Sequence, residues 1–336
     1  MEVEPCSLAT RKFEESAGMT VSSSGFISVT WRRLWPLPAL LLTAGIFAGI
    51  ATWVLSAPVR AFEESEELFF RNGDAARGEQ VFLAGQCASC HASPGQSDRT
   101  RLGGGLPLAS PFGAFNVPNI SPDPIDGIGR WRGIDLANAL MSGVSPDGRH
   151  YYPALPYVAY ARMRPEEVRD LMAYLRGLPP VAGRPPPHDL PLPFRLRRGI
   201  GLWKRLFLDR SPLTDDPSHD AAWNRGRYLV EAQLHCAECH STRNLLYAVS
   251  DDTRHAGGPD QEGTGLVPNI TPAAIGHWSD DDLVVLLTTG RTPDLRQVAG
   301  SMADVVRNTA ALPEPDRRAI AAYVRALPAR PSPDMP

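Results

Sequence analysis

Charge disappears from the chain at Leu34 and returns only after Val59, leaving the run "LWPLPALLLTAGIFAGIATWVLSAPV". An apolar stretch of about 20 residues is enough for a helix to cross a bilayer. Arg32 and Arg33 stand just before it, and basic flanks remain on the cytoplasmic side. The pattern predicts a transmembrane anchor over 34–59, a short cytoplasmic tail over 1–33, and everything later on the far side, which in a bacterium is the periplasm. A cleaved signal segment with its cut near Ala57 or Ala61 is the competing reading. The length of the run favours the anchor.

After the anchor the apolar positions take up helical spacing. Val168, Leu171, Met172, Leu175 and Leu178 make one face of a helix, and Ile320, Val324 and Leu327 make another. Ser279 followed by Asp280, Asp281 and Asp282 reads as a helix cap with an acidic first turn. Glu166 and Glu167, just after Pro165, read the same way. No stretch alternates as a half-buried strand would, so the expected fold is all-α with long loops.

The helical pattern occurs twice. "VPNISPDPIDGIGRW" (Val117–Trp131) answers "VPNITPAAIGHW" (Val267–Trp278), and "DLMAYLRGLP" answers "AIAAYVRALP" about 149 residues later. The repeat predicts two tandem domains, 62–180 and 216–328. Between them runs 181–215, which with the two prolines just before it begins "PPVAGRPPPHDLPLPF", too rich in proline for helix or central strand and read as an extended strap. "RLRRGIGLWKRLFLDR" follows with six basic residues. It is expected to pack on its own domains with solvated arginines; resting on a membrane surface is the alternative. The tail 329–336 is expected to be disordered.

Composition narrows the chemistry. With 43% hydrophobic residues the chain can bury real cores, and a net charge of −3 gives no reason to invoke nucleic acid. Four of the five cysteines fall in two copies of Cys-x-x-Cys-His: Cys87, Cys90 and His91, then Cys236, Cys239 and His240. Cys6 stands alone in the tail. A zinc site needs two such pairs close together, and these lie in separate repeats. A dithiol oxidoreductase would need a thioredoxin-like context, which the pattern lacks. Covalent haem attachment fits: two thioethers tether the porphyrin and the adjacent histidine reaches the iron. His91 and His240 are the expected proximal ligands of two haem c groups.

A haem that carries electrons takes a sixth ligand, and methionine raises its reduction potential. In the second repeat Met302, in "VAGSMADVV", is the remaining candidate. In the first, Met163 at the end of a loop is favoured over Met141 within a helical pattern, and Met172 belongs to an apolar face. The repeat does not align Met163 with Met302; it pairs Met163 with Leu312. A ligating histidine gives its other N–H to an acceptor that fixes its orientation, and the carbonyls of Pro118 and Pro268 are the expected acceptors. Trp131 and Trp278 either flank the haems or fill the cores. "LGGGLPLASPFG" (Leu102–Gly113) reads as a flexible haem-edge loop. His150, His188, His219, His235, His255 and His277 are read as surface or structural.

These motifs resemble the dihaem class I c-type cytochromes, in particular the cytochrome c subunits of bacterial periplasmic alcohol, gluconate and fructose dehydrogenases. The resemblance runs from about residue 72 to 328 through Cys87-Ala-Ser-Cys90-His91, "GVSPDGRHYYPALPY", Cys236-Ala-Glu-Cys239-His240 and "GSMADVV". Several of those subunits carry three haems, whereas this chain has two attachment units. Some relatives place a methionine where Leu155 stands here. The resemblance implies an electron carrier without substrate turnover, taking electrons from a periplasmic dehydrogenase and passing them to quinone or a terminal oxidase. A dihaem peroxidase, with one open iron position, and a dihaem subunit of a terminal oxidase are the alternatives.

Overall fold

The computed structural model describes residues 36–261 and 265–334. Cys6 and the predicted cytoplasmic tail lie outside the described residues. The chain divides into two compact units, the first ending at Ile50 and the second running from Ala51.

Helix α1 spans Pro36–Leu55 and is long and apolar enough to cross a membrane, with its side chains uncovered by protein. It stops four residues short of the predicted boundary. The residue before a proline avoids helical geometry, and Pro58 follows Ser56 and Ala57, which close the helix with a last turn (Ala57 N to Val54 O, 3.1 Å).

In the second unit, α2 (Ala75–Ala84) crosses α6 (Pro165–Arg176), and α8 (Ala221–Tyr228) crosses α12 (Glu314–Arg325) in the same manner. Each crossing turns on one glycine. A Cβ on Gly78 would fall 2.0 Å from the carbonyl oxygen of Asp170, and one on Gly226 would fall 1.9 Å from that of Ala319. Only hydrogen fits there.

The repeats differ in step: 148 residues separate Gly78 from Gly226, but 149 separate Cys87 from Cys236. The extra residue is taken up by a π-helical turn at Leu229–Gln233, the usual way a helix absorbs an insertion. Helix α10 (Asp280–Thr289) starts at the expected cap: Ser279 Oγ accepts from Asp282 N at 3.1 Å and Asp282 Oδ2 accepts from Ser279 N at 2.8 Å.

Two apolar cores form, and each borrows from the other repeat. The first gathers Phe82, Ile134, Leu171 and Met172 but also Tyr228 and Ala232. The second gathers Leu229, Leu283, Ile320 and Val324 but also Ala84. Polar groups tie the same seam. Tyr228 donates its hydroxyl to Glu167 and accepts from Arg164 N at 2.8 Å, and Gln233 Nε2 donates to Glu167 at 2.9 Å. Glu167 thus links the repeats rather than merely opening α6, and burial pushes its carboxyl up.

Several expectations change. The fold is mainly helical, as expected, and among the described residues two short strand pairs are added to it: β1 (Pro107–Ser110) with β2 (Gly113–Asn116), and β3 (Gly258–Pro259) with β4 (Leu266–Val267). Strands this short show no readable alternation. The basic segment after the strap is a helix, α7 (Arg198–Phe207), and its arginines are not simply solvated. Arg198 Nη2 donates to Trp53 O at 2.6 Å, and Arg205 Nε to Leu55 O at 2.5 Å. The tail predicted to be disordered is held at Arg330, whose carbonyl accepts from Asn269 Nδ2 at 2.8 Å and Thr271 Oγ1 at 3.1 Å. Asn119 does the same to Val181 O at 2.7 Å in the first repeat.

Candidate functional site

Each Cys-x-x-Cys-His unit starts from a left-handed residue that is not glycine. Gln86 has φ 57° before α3 (Cys87–His91), and His235 has φ 47° before the 3-10 turn Cys236–Glu238. Such residues carry backbone strain and persist where surrounding contacts hold them. Gln86 is held by Asn308 on α11 (Ser301–Ala310), whose Nδ2 donates to its Oε1 at 2.6 Å and to Ser89 Oγ at 3.0 Å. The helix that begins beside Met302 therefore braces the cysteine unit of the other repeat.

His91 Nδ1 lies 2.8 Å from Pro118 O, and His240 Nδ1 lies 2.7 Å from Pro268 O. A carbonyl can only accept, so both Nδ1 atoms carry the proton and each Nε2 keeps its lone pair. Burial pulls both imidazoles down to about 4, which keeps them neutral at physiological pH. A neutral, oriented imidazole is a ready metal ligand.

Glycines make these loops possible. Gly104 has φ +66°, and a Cβ there would fall 2.5 Å from Pro118 O; Gly257 has φ +86°, with Val267 O 2.7 Å from its would-be Cβ. Their amides donate to the carbonyls of His91 and His240, each at 2.9 Å. Gly104 is therefore a packed support behind the histidine, while Leu108, Ser110 and Phe112 of the same loop line the cavity into which the cysteine units open.

Burial pushes the Cys87 and Cys236 thiols up to about 12. Protonated thiols make poor dithiol redox centres. Among the described residues no group of three histidine, cysteine or acidic side chains is placed to hold a metal ion.

Both units open into one cavity of about 2700 Å³, with Cys87, His91, Trp131, His240, Trp278 and Met302 on its wall. Its size, its apolar wall, the two thiol pairs and the two neutral imidazoles fit two covalently held haems. Trp131 and Trp278 both face the cavity and pack on the cores. Met163 does not line the cavity. It is buried in the first core with Ala88 and Tyr160, and Met141 and Met172 are buried in the same core. Leu155 does line it.

Tyr160 and His235 bridge the two units, their rings 5.6 Å apart at 78°. Tyr160 donates to Gly85 O at 2.6 Å, just before the first cysteine pair. Burial beside Cys87 and Cys90 holds its phenol well above 10, so it remains a donor.

The second unit has a feature that sequence reasoning missed. Glu231 is buried and accepts from His255 Nε2 at 2.9 Å, from Tyr323 at 2.9 Å and from Arg254. Despite the desolvation that opposes it, these partners hold its carboxyl well below 4.5. His255 is thus a buried polar partner, not a surface histidine. Three partners, the farthest 92 residues away, leave no local motif; the signal available was a lone glutamate in an otherwise apolar stretch, "YLVEAQL".

Comparison with known proteins agrees with the geometry. The cytochrome c family model matches residues 75–179. The chain is 48% identical over 299 residues to the dihaem cytochrome c-type protein of Cereibacter sphaeroides, covering 86% of this chain and 98% of the relative. It is 39% identical to the fructose dehydrogenase cytochrome subunit of Gluconobacter japonicus, covering 76% of this chain and 53% of that subunit. It is 34% identical to the cytochrome c subunit of the quinone-dependent alcohol dehydrogenase of Gluconobacter oxydans, covering 76% and 55%. The chain thus spans about half the length of these dehydrogenase subunits.

Proposed function

The chain belongs to the dihaem c-type cytochromes and carries two haem c groups for electron transfer, and from that premise we propose that it relays electrons from a membrane-associated periplasmic dehydrogenase to quinone or a terminal oxidase. It acts as a subunit or close partner of that complex and turns over no substrate itself. Cys87 and Cys90 tether the first haem and Cys236 and Cys239 the second, with His91 and His240 as proximal ligands. Met302, on the cavity wall, is the sixth ligand of the second haem. Met163 is the sixth ligand of the first, reached by a turn of its side chain out of the core it shares with Ala88. Helix α1 anchors the chain in the cytoplasmic membrane with the haem-bearing unit in the periplasm.

The observation that carries this reading is the single cavity shared by both cysteine units. When bound, each haem supplies a one-electron iron couple. The protein's own residues orient the histidines through Pro118 and Pro268, exclude water with an apolar wall, and hold the two sites in contact through Asn308 and the Tyr160–His235 pair. Isolation of the native membrane complex tests the route. The expected result is that a dehydrogenase co-purifies and that its substrate reduces both haems. Haems that stay oxidised beside an active dehydrogenase overturn the proposal.

One observation favours a second reading. Among the described residues no methionine of the first repeat lines the cavity, as a displaceable sixth position at the first iron would require. A dihaem peroxidase would then turn over hydrogen peroxide when half-reduced. Two low-spin six-coordinate haems without peroxide turnover exclude it, and loss of one sulfur–iron absorption band in Met163→Ala assigns the ligand.

A further inference from the structure

We propose that the strap between the repeats is part of the first haem site: Arg197, with His188 beside it, clasps a propionate carboxylate of that haem. The inference rests on the dihaem reading given above, and it names which of this chain's own cations meet the acid side chains of the group.

The strap is fixed to the first repeat on both sides of His188. Asn116 Nδ2 donates to Pro187 O at 2.7 Å. Asp189 and Ala114 exchange both backbone bonds at 2.9 Å, so the strap meets β2 as an antiparallel edge. A Cβ on Gly113, at φ +115°, would fall 2.2 Å from Asp189 O, so only hydrogen fits between the two backbones. Leu190 is buried just beyond, and its carbonyl accepts from Arg195 Nε at 2.5 Å. Two residues later Arg197 Nη1 donates to His150 O at 2.9 Å.

These anchors bring both cations onto one ring. The Arg197 guanidinium lies over Tyr152, 4.7 Å from its centroid. The His188 ring meets Tyr152 and Phe115 edge-on, 5.6 Å from each. Tyr152 is itself held, donating its hydroxyl to Phe194 O at 2.7 Å. Arg197, His188, Tyr152 and Phe115 all line the cavity into which the cysteine units open.

What this corner lacks is an anion. On the same cavity wall Arg149, Arg243 and Arg296 each meet a carboxylate, from Asp147, Glu238 and Asp294. Among the described residues no carboxylate pairs with Arg197, and His188 Nδ1 is buried without a partner. A guanidinium has five N–H groups, and His150 O engages one of them. Burial and the nearby Arg197 charge push the His188 imidazole below its ordinary value, as befits two cationic groups without a counter-ion between them. Charge in an apolar setting needs a partner, and carboxylate is the anion whose geometry a guanidinium fits best. Each haem carries two carboxylates, and attachment at Cys87 and Cys90 puts the first haem against this wall.

The test is resonance Raman spectroscopy of the full haem-loaded chain, reading the propionate bending bands, with potentiometric titration alongside. Arg197→Gln is expected to shift the band of one haem and to lower that haem's midpoint potential, because its carboxylate charge is left uncompensated. Arg197→Lys keeps the charge but not the fork, and should restore most of the potential while the band stays shifted. His188→Asn should shift the same band. Arg195→Gln, which loosens the strap at Leu190 from outside the cavity wall, should leave the bands in place. Bands unmoved in Arg197→Gln, or moved as much in Arg195→Gln, overturn the inference and leave the two haems standing. If Arg197→Gln yields no folded haem protein, the His188→Asn bands decide in the same way. A wild-type chain that matures without covalent haem overturns the dihaem reading and the inference with it.

Discussion

The two cysteine units share their scaffold and differ in what lies behind it. Counted from the cysteines, Phe82 stands where Glu231 stands and Tyr174 where Tyr323 stands; counted from the supporting glycines Gly104 and Gly257, Leu102 stands where His255 stands. In the first repeat Phe82 packs against Tyr174 at 5.1 Å, and Leu102 is fully buried. In the second the same space holds a carboxylate, an imidazole, a phenol and the Arg254 guanidinium. Backbone geometry is conserved across the change: Leu102 O and His255 O each accept from the isoleucine amide after the V-P-N turn, Ile120 and Ile270, at 3.0 Å. One fold therefore offers its two haems one apolar and one ionic setting. Buried charge near a haem tunes its potential, so the two irons are expected to titrate apart.

The largest expected effect comes from breaking the ionic setting. Glu231→Gln removes the charge that His255, Tyr323 and the partly exposed Arg254 meet and should cost up to about 3 kcal/mol, measured by denaturant unfolding. The same variant carries a pH signature. The Glu231 carboxyl is held well below 4.5 in the folded chain, so its contribution is fully present above pH 4.5 and is lost as pH falls toward its folded value. The stability gap between wild type and Glu231→Gln should shrink below pH 4.5 and stay constant above it. A gap that widens on acidification would contradict the assignment.

Next comes the iron itself. Met302→Ala should remove one sulfur–iron band and lower one midpoint potential by on the order of 100 mV, leaving the other haem in place. Potentiometric titration followed optically checks this.

A smaller effect is expected at the support of His91. Gly104→Ala places a Cβ at positive φ against Pro118 O and should cost about 1–3 kcal/mol, with a perturbed spectrum for the first haem only. The smallest belongs to the apolar setting: Phe82→Leu should cost at most about 1.5 kcal/mol and leave the pH profile of stability unchanged. A pH-dependent Phe82→Leu would erase the contrast between the repeats.

Much of this site is legible in the chain because its chemistry is local. Cysteine pair and histidine lie within five residues, and the V-P-N turns carry prolines whose carbonyls meet His91 and His240. The repeat itself exposes the closing helices α6 and α12, though not what each packs against. What escapes is long-range or subtle. Glu231 meets Tyr323 from 92 residues away, and no spacing announces such a pair. The π-turn at Leu229–Gln233 shows only as a one-residue slip in the repeat. Helix α7 hides behind prolines, and its arginines find partners at the far-off end of α1. Met163 shows the limit most plainly: its place before a helix resembles that of a ligand, but no spacing tells that its side chain packs in the core and has to turn out of it to serve as one.

The central claim is that one cavity brings both haems into direct electronic contact. Mixing the oxidised protein with less than one equivalent of a fast reductant, and following both haem bands, tests it most directly. Redistribution of the electron between the haems at a rate independent of protein concentration is the predicted result. A rate that rises in proportion to concentration would mean that electrons pass only between molecules, and would contradict the account.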